Sequence, residues 1–546
     1  MKNKWWKGCT IYQVYPRSFH DSNNDGIGDL RGIINKIHYI QSLGVDALWI
    51  SPFYESPMDD YGYDVSNYYA VDPIFGTLED FTELVATAHD AGLKILVDLV
   101  ISHTSDKHAW FKESSSNLDN EKSDWYCWAD PKEDGNPPNN WLSIFGGSAW
   151  TWCSNRGEYY YHNFISSQPK LNFQNPKVLE ELDRIITFWL EKGVDGFRLD
   201  TANFLYFDSL LRNNPSKSKE ELIKYRLQER AGDGVPRTNP YGYQKHVYDK
   251  TRPENVDYLK RLRTLLNKYP DKLILGELSS DDSFAEVGRY TSGNDKLHMA
   301  YTFELLCTPL DGDTLRSLFE YLENQIEDGW SCWSFSNHDV VRAVTRYATD
   351  DDLRDELSKL IITLLILLRG SIIIYQGEEL GLMDAEVAYE DLQDPYGKPF
   401  WPDYKGRDGC RTPMPWQHDA LQAGFSCSQP WLPVPLEYYQ LAVNLQEENQ
   451  DSCLNFTRNL LKFRSSCEAL RIGDISFIES SKNHLVLVRD SGNQKIISVL
   501  NLSKNALIYR TDSYVTSKIV LCSSNCEVSK DNSVFINSYG FCLFEV

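Results

Sequence analysis

Eight short apolar segments recur along the 546-residue chain, each ending in polar residues. They lie at 11–15, 45–50, 94–100, 194–200, 273–277, 299–304, 332–339 and 371–376. Amphipathic stretches such as 78–89 and 176–192 separate them. Alternating strand and helix signals indicate parallel βαβ units. Eight such units predict an α/β fold, a closed (β/α)8 TIM barrel whose functional residues lie at the carboxyl ends of the strands.

Two of the intervals between a strand and the next helix are far longer than an ordinary loop. Residues 104–173 are long enough to form a subdomain inserted after the third strand, since a structureless loop of that size is improbable. A loop-rich insertion at about 378–449 follows the eighth strand. We therefore assign 1–103 and 174–470 to the barrel. Short alternating strands in 471–546 predict a C-terminal all-β domain, like a β-sandwich.

The charge balance excludes several classes of partner. Lys and Arg number 55 against 78 Asp and Glu, and the resulting net charge of −23 repels nucleic acid and anionic membranes. The beginning, MKNKWWKGCTIYQVYPRSF, lacks the pattern of a secretory signal, and the most apolar run is too short to span a membrane. The 12 cysteines show no CxxC pairing. We therefore expect reduced thiols and a cytoplasmic protein.

Three acidic residues stand at or just beyond predicted strand ends: Asp200 after GVDGFRL, Glu277 in LILGE and Asp339 in SFSNHD. A barrel brings all of them to one rim, where a close carboxylate pair can act as nucleophile and general acid/base on a glycosidic bond. Arg198 lies two residues before Asp200, so both side chains point the same way on a strand. We expect its charge to keep Asp200 ionised at neutral pH; a purely structural ion pair is the alternative.

Four segments, DLVISHTS, GFRLDTANF, GEL and FSNHD, occur in this order along the chain. Together they resemble the signature regions of the α-amylase superfamily, glycoside hydrolase family 13. The segments QPKLNF, MDDYGYDVSNY and GRDGCRTPMPW are similar to those of its α-glucosidase and oligo-1,6-glucosidase branch. The resemblance extends from Trp6 to about Leu470 and is less distinct over the terminal β-domain.

The resemblance implies a role for each matching residue. Asp200 is the expected nucleophile, Glu277 the general acid/base, and Asp339 the third carboxylate, which binds sugar hydroxyls. The residues expected to contact the glucose unit that is cleaved off are His103, Arg198, His338, Asp60, Tyr63 and Arg407. The expected pocket-wall residues are Phe145, Phe164, Gln168 and Phe303. A pocket that is closed at one end implies release of one terminal glucose at a time.

Two positions depart from the family pattern. Ser102 stands where the first signature region usually carries Asn, and Lys170 in QPKLNF stands where the oligo-1,6-glucosidase pattern usually has Asp. Thr201 follows the expected nucleophile. Family members that prefer α-1,6 bonds tend to have Val there, and those that prefer α-1,4 bonds Ala or Thr. We therefore expect α-1,4 preference, since one side chain on the leaving sugar can contribute about 1–3 kcal/mol.

The loop DSNNDGIGD resembles the first part of an EF-hand calcium loop. Asp21, Asn23, Asp25 and Asp29 offer side-chain oxygens, and Ile27 can offer its backbone carbonyl. Related glucosidases hold a structural calcium or magnesium ion in the matching loop. We therefore expect structural Ca²⁺ (or Mg²⁺) here, far from the carboxylates, and no organic cofactor; a solvated Asx-rich turn is the alternative.

These observations predict a retaining, exo-acting α-glucosidase that releases α-glucose from small α-glucosides such as maltose and short oligosaccharides. A sugar acceptor in place of water would give transglucosylation. An oligo-1,6-glucosidase, or a sucrose-active or isomerising enzyme, is the alternative on the same fold. A non-catalytic relative, like the heavy subunits of certain amino-acid transporters, is less favoured because those chains often lack the carboxylates. A monomer and a dimer are both compatible with the sequence.

Overall fold

Eight parallel strands form the central sheet of the protein, as predicted. The computed structural model describes residues 4–227, 235–348, 353–510, 518–524, 526–529 and 533–546. The central strands are β1 (Thr10–Val14), β2 (Ala47–Ile50), β3 (Lys94–Leu99), β4 (Gly196–Leu199), β5 (Leu273–Leu278), β6 (Met299–Thr302), β7 (Cys332–Trp333) and β8 (Ser371–Tyr375). Their order is β6-β5-β4-β3-β2-β1-β8-β7, and a parallel bridge between Ala300 and Ser331 closes the ring.

Strand β7 is shorter than predicted. The expected strand covered 332–339, but regular pairing ends at Trp333. Beyond that point, polar side chains accept hydrogen bonds from backbone N–H groups. Ser336 Oγ accepts from the N–H of Ala343 at 3.0 Å, and Asn337 Oδ1 accepts from the N–H of Asp339 at 2.9 Å. Ser and Asn side chains compete in this way with a sheet ladder. The segment therefore forms a loop that carries Asp339 above the barrel.

Helices cover the outside of the sheet. The longer ones are Leu78–Asp90, Pro176–Glu191, Glu254–Leu266, Ser283–Thr291, Gly312–Ile326, Arg354–Leu367 and Cys453–Ser466. Shorter ones are Leu30–Asn35, Ile37–Ser42, Lys219–Leu227, Ala343–Tyr347 and Glu468–Ile472. Thr77 and Asp80 form a capping box at the start of the helix Leu78–Asp90, and Asn175 caps the helix that begins at Pro176. Local signals thus set where these helices begin.

The interior of the barrel changes from apolar to polar along its axis. Alternate residues of each strand point inward. At the amino ends of the strands these residues form an apolar layer: Ile11, Ala47, Leu96, Leu273, Leu275, Met299 and Ile373. Towards the carboxyl ends, the same alternation places polar and aromatic side chains inside: Gln13, Trp49, Asp98, Arg198, Glu277 and Tyr301. The fold therefore concentrates charge at one end of a closed core.

Three insertions surround that end. The first, after β2, contains the hairpin of Tyr54–Glu55 and Asn67–Val71. The second, 104–173, contains the helix Ala109–Ser114 and a three-stranded antiparallel sheet made of Trp128–Ala129, Trp150–Cys153 and Glu158–Tyr161. The third, after β8, contains short helical turns, among them Glu378–Leu380, Gly397–Phe400 and Asp408–Arg411. Together they supply the walls of a cavity.

The C-terminal segment forms two antiparallel sheets. One contains Asp474–Ser481, His484–Asp490, Lys495–Asn501, Phe541–Glu545 and Lys518–Cys522, and the other contains Leu507–Arg510, Ser533–Ile536 and Glu527–Val528. Arg489 ties this region to the barrel, because its guanidinium donates to the carbonyls of Leu367 and Leu368 at 3.0 and 2.8 Å. All 12 cysteines carry free thiols. No helix among the described residues is long and apolar enough to cross a bilayer.

Candidate active site

Arg198 is the centre of the polar end of the barrel. Its Nη1 donates to Asp98 at 2.5 Å and to Asp200 at 2.7 Å, and its Nη2 donates to Glu277 at 2.5 Å. Asp98 faces Arg198 directly across β3 and β4, and Tyr301 faces Glu277 across β5 and β6. Tyr301 donates its hydroxyl proton to Glu277 at 2.8 Å. One wholly buried guanidinium thus holds three carboxylates.

The carboxylates compete for this single positive charge. Burial raises the pKa of Asp200 and of Glu277 to about 7, and that of Asp98 to about 6, although Arg198 opposes each shift. The expectation that Arg198 keeps Asp200 ionised at neutral pH is therefore wrong in its simple form. Its charge is divided among three acids, so one proton is readily retained by the cluster. A cluster that is half-protonated near neutral pH suits a nucleophile paired with an acid.

Asp339 belongs to a second cationic cluster at the same rim. Its Oδ1 accepts from Arg407 at 3.2 Å and from Arg411 at 3.1 Å. Burial opposes its ionisation, but His338 and the two guanidinium groups outweigh that effect and hold the pKa of Asp339 below its ordinary range. Arg407 also contacts Asp60 at 2.8 Å and Asp394 at 2.7 Å. Arg407 therefore joins the insertions after β2 and β8 and the loop after β7.

Neutral histidines complete the rim. His338 stacks on Tyr63, with ring centroids 5.2 Å apart, and its Nε2 lies 2.6 Å from the Tyr63 hydroxyl. Burial lowers the pKa of His338 to about 3 and that of His103 to about 4, so both are uncharged at neutral pH. His103 Nε2 lies 2.7 Å from the carbonyl oxygen of Tyr63, and Gln168 donates to Asp60 at 3.0 Å. These contacts hold the predicted glucose-binding residues in one group.

A cavity of about 460 Å³ lies directly above the carboxylates. Most of the predicted site residues line it: Asp60, Tyr63, His103, Phe145, Phe164, Gln168, Asp200, Thr201, Glu277, Phe303, Asp339 and Arg407. Arg198 and His338 are wholly buried beneath its floor. The volume is in the range of small-molecule sites, and aromatic rings beside carboxylates are suited to the apolar faces and hydroxyls of a sugar.

The turn after Asp200 forms one wall. Thr201 has a positive φ of 43°, which is strained for a β-branched residue. Its N–H donates to Glu277 at 3.1 Å, and the N–H of Ala202 donates to the Glu277 carbonyl at 2.9 Å. The ring of Phe204 also lines the cavity. The turn therefore fixes the position of the expected nucleophile relative to the expected acid.

Several residues of the site were not predicted from the sequence. Asp98 was visible as a charge inside the apolar run KILVDLV, but it received no role. Tyr301 and Trp49 are inward-facing aromatics of β6 and β2, and the Trp49 indole donates to Asp98 at 2.8 Å. Asp394 and Arg411 belong to the loop-rich insertion, where no hydrophobic periodicity indicates which way a side chain points. Only the folded chain brings them to Arg407 and Asp339.

The predicted metal loop lies away from this cavity. Asp21 accepts from the N–H groups of Asn24 and Gly26 at 2.7 and 2.8 Å, and Asp29 caps the helix Leu30–Asn35. In the part of the chain that the structure describes, no three His, Cys, Asp or Glu side chains are grouped closely enough to hold a metal ion. The expected set, however, also includes the Asn23 amide and the Ile27 carbonyl, oxygen donors that suit a hard cation. Calcium here stays a prediction.

A closed (β/α)8 barrel with a carboxylate cluster below an aromatic-lined cavity defines a class of carbohydrate-cleaving enzymes. Comparison with known proteins narrows this class. Residues 13–473 match the family model "Alpha amylase, catalytic domain". The chain belongs to the α-amylase family and is a glycoside hydrolase.

Individual relatives agree with this assignment. A "Probable alpha-glucosidase" of Rhizobium meliloti (strain 1021) is 52% identical over 504 residues, which cover 92% of this chain and 90% of the relative. An oligo-1,6-glucosidase of Heyndrickxia coagulans is 36% identical over 542 residues, 93% of each chain. The crystal structure of an α-glucosyl transfer enzyme, 46% identical, superposes with a TM-score of 0.93 over 100% of both chains. This chain is therefore similar to α-glucosidases and oligo-1,6-glucosidases.

Proposed function

We propose that the protein is a retaining, exo-acting α-glucosidase that releases α-glucose from the non-reducing end of short, α-1,4-linked glucosides. The observation that carries the proposal is the geometry around Arg407. This residue joins Asp60, Asp339 and Asp394, and its guanidinium lies 5.2 Å from the ring centroid of Phe145. These contacts close one end of the cavity above the carboxylates. A sugar chain enters such a pocket with its terminal unit only.

The reaction proceeds in two displacements. In the first, a carboxylate oxygen of Asp200 forms a bond with the anomeric carbon, the glycosidic C–O bond breaks, and Glu277 transfers its proton to the leaving oxygen. The product is a β-glucosyl ester of Asp200. In the second, Glu277 takes a proton from water, the water oxygen bonds to the anomeric carbon, and the ester bond breaks. Asp200 is regenerated as a carboxylate and α-glucose leaves.

The arrangement of the carboxylates supports retention of configuration. Asp200 and Glu277 accept hydrogen bonds from neighbouring nitrogens of one guanidinium, which holds the two carboxylates side by side. Such proximity fits the short separation of about 5–5.5 Å in retaining enzymes better than the wider gap that admits a water molecule. Asp339, kept ionised by Arg407 and Arg411, offers a fixed anion near the positive charge that develops on the sugar.

The linkage preference rests on Thr201 and on the relatives. Thr201 lines the cavity immediately after Asp200, where a leaving sugar would lie, and the 52%-identical relative is described as an α-glucosidase. Cleavage of α-1,6 bonds is the second candidate, favoured by the similarity to an oligo-1,6-glucosidase. Transfer of the glucosyl group to a sugar acceptor is proposed as a side reaction, because the structural neighbour at TM-score 0.93 is an α-glucosyl transfer enzyme.

The exo-acting claim is tested with substrates that are blocked at the non-reducing end. We expect maltotriose to yield glucose and maltose, and a maltoheptaose carrying a blocking group on its terminal glucose to resist cleavage. Asp60→Asn should raise the KM for maltose with a smaller effect on kcat, because Asp60 contacts the closed end of the pocket and not the carboxylate pair. Release of internal fragments from the blocked oligosaccharide would contradict a closed pocket.

We also propose that the loop of Asp21, Asn23, Asp25, Ile27 and Asp29 binds structural Ca²⁺. Four of these residues direct side-chain oxygens into one short turn, and the turn packs against the insertion after β8 through the 2.6 Å bond from Ser426 Oγ to Asp21. A cation at this position would join the two segments without taking part in bond cleavage. The ion would act on stability alone.

A further inference from the structure

The two positions at which the chain departs from its family pattern, Ser102 and Lys170, lie at the same place. The N–H of Leu171 donates to the carbonyl of Ser102 at 3.2 Å, and His103 and Lys170 form an antiparallel bridge. Both side chains reach the turn that follows the expected nucleophile. Ser102 Oγ accepts from Thr201 Oγ1 at 3.3 Å, and Lys170 Nζ donates to the backbone carbonyl of Phe204.

Lys170 is an unusual residue for a protein interior. Its side chain is wholly buried, and lysine is rarely buried without an ion-pair partner. Burial lowers the pKa of its amine to about 7, and the opposing effects of Cys127 and Asp249 are smaller. An amine donates to a carbonyl in both its protonated and its neutral form, so the contact with Phe204 persists across this range. Because burying an amine costs free energy, the position of Lys170 indicates a specific structural role.

The remaining contacts of the turn 201–204 indicate the structural role of Lys170. Ala202 is held by β5 through its N–H, which donates to the Glu277 carbonyl at 2.9 Å. Asn203 donates to the Ser279 carbonyl at 2.7 Å. Phe204 is held from the other side, by Lys170 of the inserted subdomain. The turn is thus fixed between the barrel and the insertion.

Phe204 contributes to the lining of the cavity. Its ring stacks on Phe164 with centroids 5.7 Å apart, and Lys250 Nζ lies 4.8 Å from the centre of the same ring. Lys250 and Thr201 line the cavity as well. In the proposed binding mode, the glucose that becomes bound to Asp200 occupies the end near Asp60 and Arg407. We place the leaving sugar, or an acceptor, beside Thr201 and Phe204, because the turn that carries them lines the cavity directly after Asp200.

We propose that Lys170 is a positioning residue that sets the linkage and acceptor preference of the enzyme by fixing the turn 201–204 against the inserted subdomain. This inference rests on the proposed glucosidase function and assigns Lys170 no contact with substrate. Ser102 supports the same turn through Thr201. Ser102 and Lys170 are also the two positions at which this sequence departs from the family pattern.

The test compares three substrates in Lys170→Met and the wild-type enzyme. Maltose and isomaltose each carry a leaving sugar, whereas α-glucosyl fluoride carries none and reports only on the glucose end and the carboxylates. We expect the ratio of kcat/KM for maltose to that for isomaltose to change by about tenfold, as a shifted wall redistributes leaving-sugar contacts. The kcat/KM for α-glucosyl fluoride should stay within about twofold. Lys170→Arg, which retains a donor, should recover part of the ratio.

The matched control is Lys272→Met. Lys272 also donates to a backbone carbonyl of the barrel, that of Val194 at 2.7 Å, but it lies at the opposite end of β4. We expect Lys272→Met to lower the melting temperature without changing the ratio of kcat/KM for maltose to that for isomaltose. An unchanged ratio in soluble, folded Lys170→Met would overturn the inference, as would an equal loss for all three substrates. Failure of the wild-type enzyme to hydrolyse either disaccharide would instead refute the proposed function.

Discussion

At the level of single residues, the charge of Arg198 is the quantity on which the chemistry depends. Three carboxylates share it, so it offsets only part of the effect of burial, which makes each of them more easily protonated than an exposed acid. Asp98, which has no expected contact with substrate, determines how Arg198 is oriented between Asp200 and Glu277. Its other oxygen is held by the Trp49 indole.

Asp98→Asn should reduce kcat for maltose by roughly a hundredfold, because a small displacement of Arg198 misplaces both reacting carboxylates. Its control is Asp195→Asn. Asp195 joins the same two strands at their other end, accepting from the N–H of Ile95 at 2.9 Å. That variant should lose stability by about 1–3 kcal/mol but retain kcat below its melting point. Equal kcat losses in the two variants, measured by steady-state kinetics, would contradict an orienting role for Asp98.

The pH dependence follows from the carboxylate pair. Burial raises the pKa of Glu277 to about 7, and the protonated form is the one that can act as an acid. The kcat/KM for maltose should therefore fall as the pH rises through about 7. It should also fall as the pH drops below about 7, because burial raises the pKa of Asp200 to about 7 as well and its protonated form is not a nucleophile. The leaving group of α-glucosyl fluoride needs no proton. With this substrate, the kcat/KM of the Glu277→Gln variant should therefore show no decline above pH 7. A decline that persists in that variant would show that another group titrates.

Much of the site could be predicted from residue identities alone, because the functional groups occur in short motifs. Asp200, Glu277 and Asp339 were located from strand ends and signature segments, and the structure brings them to one rim. Protonation could not be predicted in the same way. The motif Arg-x-Asp shows one partner for Arg198, whereas Asp98 and Glu277 approach it from other strands.

At the level of elements, the strands were predictable and the loops were not. Short apolar runs that end in polar residues located β1 to β6 and β8 within a few residues, but 332–339 was predicted as a strand although only Cys332–Trp333 pairs. That segment is buried yet irregular, and burial alone produces the same apolar pattern. Long-range contacts such as Arg411 to His338, 2.7 Å from Nε to the carbonyl, shape the loop instead. No local sequence signal reports such contacts.

The loop that contains Asp25 is proposed to bind Ca²⁺, and this binding should stabilise the fold. Added Ca²⁺ should raise the melting temperature of EDTA-treated protein, since a ligand at 100 times its Kd stabilises the folded state by about 2.7 kcal/mol. Asp25→Ala should abolish this increase without changing kcat. Asp134→Ala is the control, because Asp134 is an exposed loop carboxylate that accepts from Asn136 in the inserted subdomain. Calcium-independent melting of the wild-type protein would refute the proposed site.

At the level of the whole molecule, three insertions convert an ordinary barrel into a pocket. The insertion after β2 supplies Asp60, the inserted subdomain supplies Phe145, and the insertion after β8 supplies Arg407. The barrel itself supplies the carboxylates. The residues that close the pocket therefore come from different parts of the chain than the reacting carboxylates.

The most direct test of this account is NMR observation of the anomeric proton of glucose as it is released from maltose and from isomaltose, with Asp200→Ala as the blank. The account predicts that α-glucose appears first, that maltose is cleaved faster than isomaltose, and that the Asp200→Ala variant releases none. Initial release of β-glucose, or turnover by the Asp200→Ala variant at the wild-type rate, would contradict the assignment of Asp200 as the nucleophile of a retaining α-glucosidase.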